Sequence, residues 1–496
     1  MKKSYFNLKA LLASTACALA SQAFSADLHQ IRQKIDHGHY QLAKSEIQAL
    51  TAKTGSMEGN TTMDDLTAAS ANADASLSEA LAFEAERMRR IEMEFTIKPE
   101  DLLESIRRYI PDATGTDIRA WDSAGLLEYM IIDGERRYFR KAAYNLVHIS
   151  DAAAARTADY KRFTEKAPLY QLHSHHREII AAKSSQRQRI EVEYSLTVNA
   201  DAVPAGETVR AWLPFPQQLP GLQENVSLIS SVPETHQLAP ATQSQRTIYL
   251  EKTAAKGHPT EFRIRYAFDS LSRYTAIDAD RVQPANSASF EEFLGERAPH
   301  VQFTPKLQAL SQQIVGDETN PYRIAQKLFA HVDQIPWAGA REYSTIRNIS
   351  QYAAEAGHAD CGQQTLLLIT LLRMNGIPAR WQSGWEFAPQ GFDTMHDWGE
   401  LYLAPYGWMP MDVTHGLLES DSEAERWFYL GGIDSYRLIF NSDYSRPLLP
   451  AKHHFRSETV DNQRGEVEWR GGNLYFDQWD YNLAWKLVEP QQSAQR

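Results

Sequence analysis

His358-Ala359-Asp360-Cys361-Gly362-Gln363-Gln364 opens the stretch that decides the reading, and Thr365, Leu366, Leu368, Ile369 and Leu372 follow it with the pattern of a buried helix. Asn375-Gly376 and then Pro378 end that helix, so Cys361 falls at or near its first turn. The position matters because the thiolate, not the thiol, is the nucleophile, and an ordinary cysteine with a pKa near ~8.5 is mostly thiol at neutral pH. Free N–H groups at a helix start favour negative charge. Gly357 and Gly362 let the backbone pass close to a substrate.

A hairpin follows. Met395 to Leu403 alternates, which puts His396, Trp398, Glu400 and Tyr402 on one face. Pro405-Tyr406-Gly407 turns the chain, and the next strand puts Trp408, Pro410, Asp412 and Thr414 on one face. Neighbouring antiparallel strands lie only ~5 Å apart, so Asp412 can reach His396. The expected roles follow: Cys361 attacks, His396 moves the proton, and Asp412 fixes the imidazole tautomer and supports its charge. For oxyanion and cleft positions the candidates are the Cys361 backbone N–H and, more weakly, Trp337, Gln351 and Trp398. Tyr352 also lies upstream, with packing as its expected role. Arg380 reads as a structural ion-pair residue and Glu400 as a brace for the hairpin. His358 and His415 read as bystanders.

The rest of the chain divides around this core. Residues 1–25 read as a signal peptide, with Lys2 and Lys3 before an apolar Leu8 to Ala20 and small residues at the cleavage site. The expected location is periplasmic or secreted. Lipidation at Cys17 is not expected, since Ser14-Thr15-Ala16 lacks the aliphatic residue of that signal. Residues 26–75 are polar and helix-biased, helical or partly ordered. Residues 76–185 read as a helical domain with a hairpin at Asp133-Gly134, whose second residue suits positive φ; a scaffold or lid role is expected. Residues 186–290 alternate, as in Ile190, Val192, Tyr194, Leu196 and Val198, and predict an antiparallel β-sandwich. Residues 291–450 hold the core, with Asn320-Pro321 as a helix start. Residues 451–496 read as a closing β-hairpin around Gly471-Gly472-Asn473. The predicted fold class is α+β, multidomain.

Composition narrows the function. At 496 residues the chain is too long for one core. Hydrophobic content of 43% and a net charge of -12 suit a soluble globular protein, not a nucleic-acid footprint. Of two cysteines, Cys17 lies in the signal, which leaves Cys361 alone and unable to form an intramolecular disulfide. His173, His175 and His176 lack a carboxylate or cysteine at metal-ligand spacing and read as a solvated linker. No metal or cofactor is expected, and no stable membrane insertion after signal cleavage.

Four segments together carry a resemblance: Asp360-Cys361-Gly362 before the Leu-rich helix, Gly376-Ile377-Pro378-Ala379-Arg380, His396-x-Trp398-x-Glu400, and Gly407-Trp408-x-Pro410-x-Asp412-x-Thr414. In this order they resemble the core of the transglutaminase-like superfamily, and the preceding Trp212-Leu213-Pro214 domain is similar to what bacterial members place before it. The resemblance implies a papain-like Cys–His–Asp site and acyl transfer through a thioester to water or an amine, with a peptide or protein as substrate. Asp397 departs from the pattern, where a small apolar residue is usual. Hydrolysis, amine cross-linking and a non-catalytic scaffold are the three functions to be separated.

Overall fold

The computed structural model describes residues 26–57, 66–158, 173–182, 184–389 and 391–488, which leaves the signal segment and Cys17 outside the described residues. The chain forms two compact units, Met1–Tyr160 and Lys161–Arg496.

The first unit is helical with one hairpin. Helices Tyr40–Met57 and Leu66–Glu94 precede the short helices Leu102–Arg107, Gly115–Ser123 and Ala142–Ile149. Leu81, Met88, Ile91, Phe95, Ile106 and Leu146 are buried, the stripe that helical spacing predicts. The hairpin pairs Tyr129–Ile132 with Glu135–Tyr138, in register Ile132↔Glu135, so the turn is Asp133-Gly134. Both turn residues have positive φ, 49° and 86°, as a two-residue hairpin requires.

The second unit joins a β-sandwich to a helix-and-sheet core. One sandwich sheet has the order Trp479–Val488, Arg187–Val198, Thr260–Leu271, Gln223–Val232; the other runs Gly472–Leu474, Glu466–Trp469, Thr208–Pro214, Thr247–Thr253, Gln237–Leu238. Ile190, Val192, Tyr194, Leu196 and Val198 all face its interior, which is the period-2 pattern read from the sequence. The C-terminal residues do form a hairpin, with Trp469 opposite Gly472. They are more than an extension: Glu466–Trp469 pairs with the Thr208–Pro214 strand and Trp479–Val488 with the Arg187–Val198 strand, so each sandwich sheet is completed from the chain's end.

The core sheet is antiparallel, in the order Gly407–Met411, Phe392–Leu403, Ala379–Ala388, Arg437–Asn441. Helices Pro305–Val315, Pro321–Asp333, Ile349–Glu355 and Cys361–Met374 share its apolar core. Asn320 caps its helix by accepting from the Tyr322 and Arg323 N–H groups, with Pro321 in the first turn.

The histidine-rich segment is a correction. His173–Ala181 is a helix of the second unit, not a solvated linker. His176 is fully buried, with Nε2 3.0 Å from the Tyr429 hydroxyl, and His173 Nδ1 lies 2.8 Å from Glu425 Oε1. Burial holds the His176 pKa down to about 3, so this ring is neutral and part of the packing. Among the described residues no helix is long and apolar enough to cross a membrane.

Candidate functional site

Cys361 is the first residue of its helix. Asp360, in extended backbone at φ -88° and ψ -176°, caps it: Asp360 Oδ1 accepts from the Gln363 N–H at 3.0 Å, and Gln363 Oε1 accepts from the Asp360 N–H at 3.2 Å. The Tyr343 hydroxyl donates to the same Asp360 oxygen at 2.7 Å. Gly362 through Arg373 are all buried, so the helix is enclosed around its whole circumference. Cys361 itself is a free thiol of intermediate exposure.

The sulfur donates to Asp397 Oδ2 at 3.4 Å. The structure brings His396 and Asp412 together, with Nε2 2.8 Å from Oδ2, but forms no hydrogen bond between Cys361 and His396 among the described residues. Strand alternation is the reason. His396 and Asp397 are consecutive in an unbroken ladder, Gly384↔His396 and Ser383↔Asp397, so they point to opposite faces. The Asp397 face carries Leu401 and Leu403, which share a core with the Cys361 helix.

Room for Asp397 comes from Gly362. A Cβ there would lie 2.1 Å from the Tyr343 hydroxyl and 2.5 Å from Asp397 Oδ2, so no other residue fits without displacing both. Gln463 Nε2 donates to Asp397 Oδ1 at 2.8 Å and to the His396 carbonyl at 2.9 Å, which ties a distant loop to both residues. Asp461 also shares a hydrogen bond with Asp397. Burial, then the charges of Asp461 and Asp360, hold the Asp397 carboxyl well above the usual carboxylate range. Burial, then Asp397 and Asp360, likewise push the Cys361 thiol well up. The resting sulfur is therefore a neutral thiol.

The His396 face is a buried charge network. His396 Nε2 lies 3.6 Å from Glu386 Oε2, and His415 Nε2 lies 2.7 Å from that oxygen. Arg437 Nη1 is 2.8 Å from Asp412 Oδ2, and its Nη2 is 2.8 Å from Asp434 Oδ2. Burial alone would lower the His396 pKa, but Asp412 and Glu386 outweigh it and raise it. Burial opposes ionisation of Asp412, yet His396, His415 and Arg437 hold its carboxyl far below the ordinary range. Glu386, His396, Asp412 and His415 offer ligand atoms within 4.8 Å of one another and could hold a cation. Arg437 already brings a positive charge to the same two carboxylates.

The remaining sequence candidates are placed as follows. Trp337 is 41% exposed and forms a bridge to Ala359, two residues before the sulfur. Gln351 is not turned to the sulfur: its amide donates along its own helix to Glu355 Oε1 at 3.0 Å. Trp398 is fully buried with Ile433 and Ile439, and its indole N–H donates to Gln382 Oε1 at 2.8 Å, so it belongs to packing rather than to a cleft wall. Arg380 pairs with Glu400 at 2.6 Å and lies over the Trp408 ring. His415 is no bystander, since its backbone N–H donates to Asp412 Oδ1 at 3.3 Å and its ring meets Glu386. Glu386, Tyr343, Arg437, Asp461 and Gln463 were not found from sequence. Only Glu386 carried a signal, as the one charged residue between Trp381 and Ala388.

Residues 308–413 match the family described as Transglutaminase-like superfamily. No curated protein matches the chain. A solved structure described as a "Putative Cysteine Protease from Cytophaga hutchinsonii" is similar to it, with 14% sequence identity, 62% of this chain and 93% of that chain covered, and a TM-score of 0.39. The matched segment runs through the Cys361 helix and the His396 strand up to Val413, so it is this core of the chain that is similar to the transglutaminase-like superfamily.

Proposed function

We propose that the chain is an exported cysteine-dependent acyl-transfer enzyme that hydrolyses peptide or amide bonds through a thioester on Cys361. The observation that carries this reading is a free, partly exposed thiol at the tip of a buried, capped helix, inside the family-matched segment. The basic and apolar N-terminal segment supports export.

The chemistry runs in two halves. Cys361 Sγ gives up its proton and attacks the substrate carbonyl, the C–N bond breaks, and the amine leaves with that proton. Water then attacks the thioester, giving the acid and restoring the thiol. The His396–Asp412 pair, at 2.8 Å, is the group suited to carry the proton. It lies on the opposite face of the strand from the resting sulfur, so this role requires the strand to rearrange locally when substrate binds. Catalytic hydrogen bonds that are absent at rest can form in the substrate complex. Water is favoured as acceptor because it outnumbers any amine outside the cell.

One observation favours a second reading, a binding module without activity: the thiol is bonded to a carboxyl group rather than to the imidazole. The two separate on incubation with a peptide mixture. Free amine released without added amine, and lost in Cys361→Ala, supports hydrolysis. Incorporation of a labelled amine supports cross-linking, and neither outcome supports the binding module.

A further inference from the structure

We infer that Asp397 is a latch on the nucleophile: its carboxyl group, hydrogen-bonded to Cys361 Sγ, keeps the sulfur a thiol on the face of the strand away from His396, and acyl transfer begins only when that bond is released. The inference rests on Cys361 being the nucleophile proposed above.

Four features make the contact a built one. The sulfur meets Asp397 Oδ2 at 3.4 Å, and the Tyr343 hydroxyl is 3.4 Å from the same oxygen. Gln463 holds the other oxygen at 2.8 Å. Gly362 leaves the space that the carboxyl and the tyrosine fill.

The groups facing Asp397 explain why it stays in place. From the Cys361 helix come the thiol and Asp360; from the turn Tyr343–Thr345 comes the Tyr343 hydroxyl; from the C-terminal loop come Asp461 and the neutral Gln463. Asp461 is itself hydrogen-bonded by Ser383 of the adjacent strand, with Arg456 and Arg464 beyond it. Two buried carboxyl groups in contact cannot both ionise easily, so Asp397 and Asp461 share a proton. A thiol beside that pair gains nothing from ionising. When the bond to Asp397 breaks, the thiol is free to ionise.

The test is the alkylation rate of Cys361 by iodoacetamide, followed by mass spectrometry of the peptide that contains it. Asp397→Asn keeps the shape and replaces the carboxyl group beside the sulfur with an amide that cannot ionise. Since one pKa unit is a factor of ten in thiolate, alkylation at neutral pH should rise about tenfold or more, and its pH midpoint should move down. Asp461→Asn should do the opposite: Asp397 loses the partner that shares its proton, ionises beside the sulfur, and slows alkylation. An Asp397→Asn protein that alkylates no faster than wild type overturns the latch. If that variant does not fold, an Asp461→Asn rate equal to or above wild type overturns it instead. Hydrolysis separates the latch from the function: faster alkylation with no hydrolysis by any variant keeps the latch and removes the hydrolase, whereas Cys361-dependent hydrolysis with unmoved alkylation does the reverse.

Discussion

Asp397 stands one position along the strand from His396, and that single step gives it, rather than the imidazole, the hydrogen bond of the Cys361 thiol. The two faces of one strand thus hold two different environments. One presents a neutral thiol beside a shared-proton carboxyl pair. The other presents His396 in a network of Glu386, Asp412, His415 and Arg437.

The charge network should make Asp412 matter twice. Asp412→Asn removes the charge that raises the His396 pKa, so the imidazole should be less protonated at neutral pH. Proton transfer by a positioned group is typically worth about 10²–10⁴-fold, so kcat/KM should fall within that range. The pH–rate profile should shift as well, which simple loss of structure would not produce. An unchanged profile would remove His396–Asp412 from the reaction.

Arg437 should be a stability residue. It lies 2.8 Å from both Asp412 and Asp434 and is fully buried with them. Arg437→Met leaves buried carboxylates without their cation. Breaking a buried pair in this way costs about 3–5 kcal/mol, read as a lower urea midpoint. Loss of less than about 1 kcal/mol would mean that the network does not depend on its guanidinium.

Stability should fall as pH rises from mildly acidic to mildly alkaline. Burial, then Asp461, raises the Glu458 pKa from 4.5 to about 8. Between those values the folded chain keeps a proton that the unfolded chain has released, so rising pH favours unfolding. Asp397 and Asp461 shift in the same direction. His396, also raised, adds stability that is complete below its unfolded pKa of 6.5 and is lost as pH rises through its folded value. The lowered carboxyls Asp412 and Asp434 act only at the acid end, where stability falls as they are protonated. The Tm should therefore be highest near the ordinary carboxylate pKa range, and Glu458→Gln should flatten the decline above it.

Gly362→Ala tests the crowding at the helix tip. The added Cβ meets the Tyr343 hydroxyl at 2.1 Å and Asp397 Oδ2 at 2.5 Å. Overpacking of this kind costs roughly 1–3 kcal/mol. It should also push Asp397 off the sulfur, so the variant should be both less stable by thermal melting and faster to alkylate. A neutral effect on both would mean that the tip is looser than the distances indicate.

What was legible in the sequence is what local pattern encodes. The Cys361 helix, the Asn320-Pro321 start, the Asp133-Gly134 turn and the alternation of Ile190 to Val198 each follow from residues close together in the chain. The proximity of Asp412 to His396 could be read too, because a hairpin joins them. Gln463 reaches back 67 positions to the His396 carbonyl, and Asp461 reaches Asp397 from the same loop; no local pattern announces either. Alternation placed His396 and Asp397 on opposite faces from the start, but which face the Cys361 helix covers is decided by packing of Leu401 and Leu403, and that requires the fold. The histidines near 175 were misread for a related reason: their partners Glu425 and Tyr429 lie about half the chain away.

The most direct measurement is the intact mass of the protein quenched in acid during turnover of a peptide substrate. An acyl adduct that maps to the peptide containing Cys361, accumulates in Asp397→Asn and is absent from Cys361→Ala is the predicted result. Hydrolysis that persists in Cys361→Ala, or an adduct mapped to another residue, would contradict it.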